Sequence, residues 1–365
     1  MTFLLRLSFQ KSGKEINGKN DMDKVLTVII PTYNMEKYLR KCLDSLIIED
    51  NELFGTLEVL VVNDGSRDSS SAIAHEYQGR YPDVFRVIDK ENGNYGSCVN
   101  RGLKEAAGKY VRVLDADDTF DTENFSCFLN YMADKDVDCV ISDMMQVDGL
   151  GAEKEICRFN LPEDRSFSLA ELGEAVNDLW MHCVCYKAVN LRAMNYRQTE
   201  GISYTDQEWI CLPMSVCRSL AYFPKVIYRY LVGRDGQTID PSVWERNFWM
   251  EVQGAKEMMK YRDSVHGSMV PDQNFIDLRI KIRMRAIYFA YLIKFSSFSN
   301  ENLVRDLDSC LMAYDRRMYD DFSAYTYTKK IPVPVVKLWR ERRFGLLSIY
   351  RKVLKANDFI RGLMK

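Results

Sequence analysis

An α/β fold, with a mostly parallel central sheet flanked by helices and a helical region after it, is what this 365-residue chain predicts. Two patterns carry the expectation. Across the first half, short apolar, β-branched runs alternate with stretches of helical periodicity, the order of a sheet whose crossovers are helices. Three of the runs end on polar clusters: Thr32-Tyr33-Asn34, Asn63-Asp64-Gly65-Ser66 and Asp115-Ala116-Asp117-Asp118. Sheets of this kind bind ligands at the carboxyl ends of their strands, so the clusters mark one edge as a site.

Residues 25–30 form a continuous apolar run suited to a strand buried on both faces. Pro31 ends it, and Tyr38, Leu39, Cys42, Leu43, Leu46 and Ile47 then recur at helical spacing. A second strand is expected over 57–62, a helix over 69–77 and a third strand over 85–88. Residues 97–107 predict a helix stopped by Gly108, and 110–114 a strand running into the acidic cluster. A helix over 123–133 and a strand over 139–142 complete the regular half. Residues 148–230 are mixed, and 242–318 are mainly helical, with helices over 244–261 and 275–295. Ile331-Pro332-Val333-Pro334 is a rigid breaker.

Composition narrows the function. A formal net charge of −2 argues against nucleic-acid binding. Ten cysteines are scattered without zinc-ligand spacing, so reduced thiols and a cytoplasmic setting are expected. No apolar run spans a bilayer; the nearest, 286–293, is far too short. Residues 1–21 lack an export signal and are expected to be disordered or a non-native extension, the fold starting near Met22. The tail from 337 to 365 carries nine Lys/Arg against two acidic residues. Phe344, Leu347, Tyr350, Val353 and Leu354 form an apolar stripe in it, fit for the inner face of an anionic membrane, the chain's own domain or a second subunit.

The acidic cluster carries the chemistry. In an extended segment Asp115 and Asp117 project to one side, where their charges repel unless a cation sits between them. Oxygen ligands suit Mg²⁺ or Mn²⁺, which bind few carboxylates plus substrate phosphates. A solvated turn and helix cap is the plainer alternative.

Three blocks, read in order, resemble family 2 glycosyltransferases, which have the GT-A fold. They are Thr27-Val-Ile-Ile-Pro-Thr-Tyr-Asn34, Val61-Val-Asn-Asp-Gly-Ser66, and Glu91-Asn-Gly-Asn-Tyr-Gly-Ser97 continuing through Gly108-Lys-Tyr-Val-Arg-Val-Leu-Asp-Ala-Asp-Asp118. Tyr204-Thr-Asp-Gln-Glu-Trp209 resembles the region of such enzymes that holds the catalytic base. The resemblance implies an inverting transfer from a nucleotide sugar, with UDP expected, to a hydroxyl of a glycan, lipid-linked or other acceptor in surface polysaccharide or glycolipid synthesis. It implies Pro31, Thr32, Tyr33 and Asp64 at the base, Asn92 and Gly93 as a backbone wall, and Asp115 and Ala116 near the ribose. Asp117 is implied as the metal ligand, with Asp115 second to it. Asp206 is implied as the general base, with Glu208 as competitor because Thr205 stands where many relatives have Glu. The implied division is a GT-A catalytic domain over 22–240, a helical region over 241–330 and a basic amphipathic tail over 331–365.

Beyond these, His182, Trp209 and Gln237 are candidates for acceptor or diphosphate contacts, each with an ordinary core or loop role as the alternative. A metal-dependent nucleotidyltransferase would also use paired aspartates, but Pro-Thr-Tyr-Asn stands where its Gly-rich, Lys/Arg-bearing loop belongs. A non-catalytic sugar-binding module is the third class, and an oligomer is compatible with all three.

Overall fold

The protein is described by a computed structural model covering residues 24–234, 237, 241–264, 273–295, 298–328 and 332–363. For Pro241 and residues 355–363 only the backbone is described. The expected extension, 1–21, lies outside the described residues.

Nine strands form one sheet. They are β1 (Leu26–Thr32), β2 (Leu57–Asn63), β3 (Phe85–Asp89), β4 (Tyr110–Val113), β5 (Thr119–Phe120), β6 (Cys139–Val147), β7 (Glu153–Cys157), β8 (Val184–Lys187) and β9 (Leu220–Leu231). Their order is β3-β2-β1-β4-β8-β6-β9-β5, with β7 paired to β6. β1, β2, β3 and β4 pair in parallel, as do β6 and β9, so most of the ladder is parallel. β5, β7 and β8 join antiparallel. Every residue of β1 and of β2 is buried, as their unbroken apolar runs require of strands covered on both faces.

The expected elements of the first half all form, with bounds shifted by a few residues, and four strands are added that the sequence pattern does not show. The longest, β9, is interrupted by Pro224, which cannot donate to a ladder. Its pairing with β6 jumps from Ser142↔Phe223 to Asp143↔Val226, leaving Pro224 and Lys225 exposed in a bulge. A strand that accommodates its proline this way reads in sequence as two fragments.

After the sheet come helices Pro241–Ser264, Gln273–Phe289, Glu301–Tyr314, Arg316–Ser323, Val335–Arg340 and Phe344–Leu363. Their core gathers on Trp339, fully buried, with Tyr288 and Tyr291 at ring-centroid distances of 6.2 and 6.0 Å and the Arg305 guanidinium over its face. Arg340 reaches back to Asp308 at 2.6 Å. The proline-rich breaker precedes helix Val335–Arg340, whose N-cap is Pro334.

The tail helix settles which surface its apolar stripe meets. Leu347, Tyr350 and Leu354 are buried, and Phe344 packs edge-on to Phe298 at 5.3 Å. Arg351 donates to the carbonyls of Tyr291 and Leu292, both at 2.7 Å, capping the end of the preceding helical turn. That stripe therefore docks on the chain's own helices, apart from Val353, which is 44% exposed. Among the described residues no helix is long and apolar enough to cross a membrane. All ten cysteines are free thiols.

Gly108 joins the helical crossover to β4 at a point of close approach. A Cβ there would lie 2.4 Å from the Thr27 backbone nitrogen. Around it a buried polar knot closes: Gly108 N–H donates to Thr27 Oγ1 at 2.8 Å, and Thr27 Oγ1 donates to Glu58 Oε2 at 2.6 Å. Gly108→Ala should cost about 1–3 kcal/mol, the usual range for overpacking, read as a lowered urea midpoint with an unchanged m-value.

Candidate functional site

The first wall of the site is set by the ends of β1 and β2. Asp64 is buried, and its carboxylate accepts from Lys90 Nζ at 2.5 Å, Gly93 N at 2.9 Å and Asn94 N at 2.9 Å. Asn92 Nδ2 donates to the Asp64 carbonyl at 3.0 Å. Asp64 is therefore the peg that holds the 92–94 loop, with most of its acceptor capacity already engaged. Tyr33 stands at the rim, 43% exposed, offering a face for stacking.

The second wall is the acidic turn. β4 ends at Val113, and Asp118 N–H donates to the Asp115 carbonyl at 3.0 Å, so residues 115–118 turn rather than extend. The expected extended segment is therefore a turn, although Asp115 and Asp117 both still line the one cavity. Asp115 Oδ1 accepts from the Tyr95 hydroxyl at 2.6 Å, and its Oδ2 lies 3.4 Å from His182 Nε2. Asp118 turns inward, accepting from the Tyr228 hydroxyl and from Leu231 N, both at 2.7 Å. Asp117 is ion-paired with Arg234.

Burial pushes the Asp117 and Asp118 carboxyls up, and repulsion from their neighbours in the turn pushes the same way. Burial also acts to raise Asp115, but its contacts with His182, Tyr95 and Arg234 outweigh it and hold this carboxyl below the usual range. Asp115, Asp118 and His182 each place a ligand atom within 4.8 Å of the others'. His182 Nδ1 is buried without a partner among the described residues. Its ring is wedged between Tyr228 and Tyr230, at 4.5 and 4.8 Å, and its carbonyl is held by the buried Arg112 guanidinium.

The third wall comes from helix Asp206–Met214 and the loop before it. Gly96, in helix Asn94–Glu105, lies against this loop so closely that a Cβ would meet the Thr199 carbonyl at 2.1 Å. Asn100 and the backbone of Gln198 exchange two hydrogen bonds, at 2.8 and 2.9 Å. Asp206 opens the helix and faces the cavity, while Glu208 does not. Glu208 is buried, accepts from Thr199 N at 2.8 Å, and burial raises its carboxyl to about 7.

These walls enclose a cavity of about 880 Å³. Pro31, Thr32, Tyr33, Asp64, Asn92, Asp115, Ala116, Asp117, His182, Asp206 and Gln237 all line it. Three sequence candidates do not. Gly93 spends its N–H on Asp64, behind the lining. Trp209 is fully buried against Tyr186 and Tyr196, at 5.2 and 5.7 Å, and is a core residue. Glu208 serves the loop. Gln237 lines the cavity but is tied to its own loop through Gly233 N, at 3.0 Å.

The sequence reading missed Tyr95, Tyr228 and Arg112. Tyr95 stands in the block 91–97, which is singled out for its backbone. Arg112 has its own signal: a lone charge inside a buried apolar strand, which must find partners. Trp244, Glu251, Arg279 and Ile282 also line the cavity and come from the C-terminal helices.

Comparison with known proteins bears on this site. Residues 27–194 match the family described as Glycosyl transferase family 2. The uncharacterized glycosyltransferase MG025 of Mycoplasma genitalium is 44% identical over 103 residues, 28% of this chain and 34% of that protein. The uncharacterized glycosyltransferase YibD of Escherichia coli is 37% identical over 215 residues, 56% of this chain and 60% of that one. The minor teichoic acid biosynthesis protein GgaB of Bacillus subtilis is 27% identical over 227 residues, 61% of this chain and 25% of that one. The chain thus spans less than two thirds of each of these relatives. In fold it is similar to S. aureus TarS 1-349 in complex with UDP-GlcNAc, with a TM-score of 0.61 at 20% identity over 80% of this chain and 82% of that one.

Tyr228 joins β9 to the acidic turn, donating to Asp118 and accepting from Asp115 N–H at 3.0 Å. Tyr228→Phe should destabilise the protein by about 1–3 kcal/mol in urea unfolding, because it takes one of two donors from a buried carboxylate and the acceptor from the Asp115 N–H.

Proposed function

Taking as premise that residues 27–194 are a family 2 glycosyltransferase domain, we propose that the protein moves a sugar from a nucleotide sugar to a hydroxyl acceptor. One observation carries the reading: a buried acidic turn and the Asp206 carboxylate line the same cavity of about 880 Å³. The nucleotide lies along Pro31, Thr32, Tyr33 and Asn92, with its base against Tyr33. UDP is the proposed nucleotide, a choice favoured by the similar fold of a protein solved with UDP-GlcNAc. Asp115 lies beside the ribose.

The residues present fit a divalent cation. Three carboxylates and an imidazole suit Mn²⁺ or Mg²⁺, and a cation relieves the crowding that pushes Asp117 and Asp118 up. Two sets of ligands compete. Asp115, Asp118 and His182 are closest together, but Asp118 already accepts from Tyr228 and Leu231 and does not line the cavity. We favour Asp117, Asp115 and His182, which all do. When bound, the ion neutralises charge on the leaving nucleoside diphosphate.

Asp206 takes the proton from the acceptor hydroxyl as that oxygen attacks the anomeric carbon. Attack opposite the diphosphate inverts that centre, and no covalent sugar–enzyme intermediate forms. Surface polysaccharide is the proposed product, a reading favoured by the likeness to GgaB.

The tail adds a proposed site of action at an anionic membrane surface. Leu346, Ile349 and Val353 are 49, 60 and 44% exposed on the outer face of helix Phe344–Leu363, near exposed Arg342, Arg343 and Lys352. That combination suits interfacial binding.

Three outcomes test these assignments. Purified protein with Mn²⁺ should release UDP from a UDP-sugar, and Asp206→Asn should lower that rate by about 10²–10⁴ while nucleotide binding persists. Mn²⁺ should raise the melting temperature more above neutral pH than at acid pH, since protons compete for the raised Asp117 carboxyl. Asp117→Ala should abolish that shift, whereas a shift lost only in Asp118→Ala would select the other ligand set. Anionic liposomes should co-sediment the full chain, and Ile349→Glu should reduce the bound fraction severalfold.

A further inference from the structure

Helix Gln273–Phe289 sends one cation into the cavity wall. Arg279 is 1% exposed, yet no carboxylate among the described residues pairs with it. Nη1 donates to the Val176 carbonyl at 2.6 Å and Nη2 to Gln207 Oε1 at 2.6 Å, while Nε is buried without a partner. A buried cation is costly unless its charge is answered nearby. The answering charge stands one residue further on, because Gln207 Nε2 donates to Asp206 Oδ2 at 2.9 Å.

The orientation of the Gln207 amide is forced from both ends. A guanidinium only donates, so it must meet the amide oxygen. An ionised carboxylate only accepts, so it must meet the amide NH₂. Flipping the amide would set donor against donor and acceptor against acceptor. We propose that Arg279, acting through Gln207, is a positioning residue that fixes one oxygen of Asp206 and leaves the other for the acceptor hydroxyl. The inference rests on Asp206 being the base.

The arrangement gives the C-terminal helices a part in the reaction, since Arg279 lies 73 positions beyond Asp206 in sequence. Burial first, and the Asp206 charge after it, push up the hydroxyls of Tyr95, Tyr230 and Tyr204 and the carboxyl of Glu251 from helix Pro241–Ser264. Glu251 is ion-paired with Arg283, one helical turn beyond Arg279. The Gln207 amide is the only side-chain donor to Asp206 found among the described residues.

The test reads release of nucleoside diphosphate by the full chain with Mn²⁺. The substrate is the fastest-hydrolysed of UDP-GlcNAc, UDP-glucose, UDP-galactose and GDP-mannose. Gln207→Ala should lower kcat roughly tenfold while KM for the nucleotide sugar changes less than about twofold, the split expected of a misplaced base rather than of lost binding. Arg279→Gln should lower kcat in the same way, and Arg279→Lys, which keeps the charge, should restore part of it. Gln207 is half-buried, so its variant keeps the test open where the Arg279 variants fold poorly. An unchanged kcat in Gln207→Ala, or a KM that rises in step with the fall in kcat, overturns the positioning role. Full activity in Asp206→Asn overturns the base assignment instead, so the two failures are distinct.

Discussion

Three carboxylates within four residues at the end of a buried strand are the constraint around which this molecule is arranged. Negative charge out of water must be answered by donors or cations, and here they come from widely separated parts of the chain. Tyr95 arrives on a crossover helix, His182 on a short turn before β8, Tyr228 and Leu231 on β9, and Arg234 just after it. Satisfying the turn therefore pins the two halves of the sheet together. The same requirement leaves Asp115 and Asp117 facing the cavity.

The opposite wall is fixed by a different kind of force. Gly96 lets helix Asn94–Glu105 lie against the carbonyl of Thr199, and Asn100 locks that approach with a pair of hydrogen bonds. One helix thus touches the Asp64 peg, the acidic turn through Tyr95, and the loop leading to Asp206. That single helix ties three parts of the cavity wall together.

Much of this was legible in the sequence, for identifiable reasons. Continuous apolar runs and the clusters at their ends located β1, β2 and β4 and the polar edge, because parallel strands buried on both faces leave an unbroken pattern. β9 was not legible, because Pro224 sits in a bulge that only the partner strand defines. Asp115 and Asp117 share the cavity, but through a turn rather than strand alternation, and that turn is held by Tyr228 and Leu231 from over a hundred residues away, which no local pattern shows. Trp209, beside Asp206, fits an acceptor contact or a core role equally in sequence; successive helical residues face different ways, and this one faces the core. The tail helix showed its docked stripe in sequence, and its second, exposed stripe emerged only once the first was seen buried.

The cavity wall drawn from helices Pro241–Ser264 and Gln273–Phe289 has an implication for how such chains diversify. The family signature stops at residue 194, short of Asp206 and of every residue these helices contribute. The matched segment and the helical part of the cavity wall thus occupy separate stretches of polypeptide. Substitutions or exchanges in the helices reshape one side of the cavity while the matched segment is inherited intact.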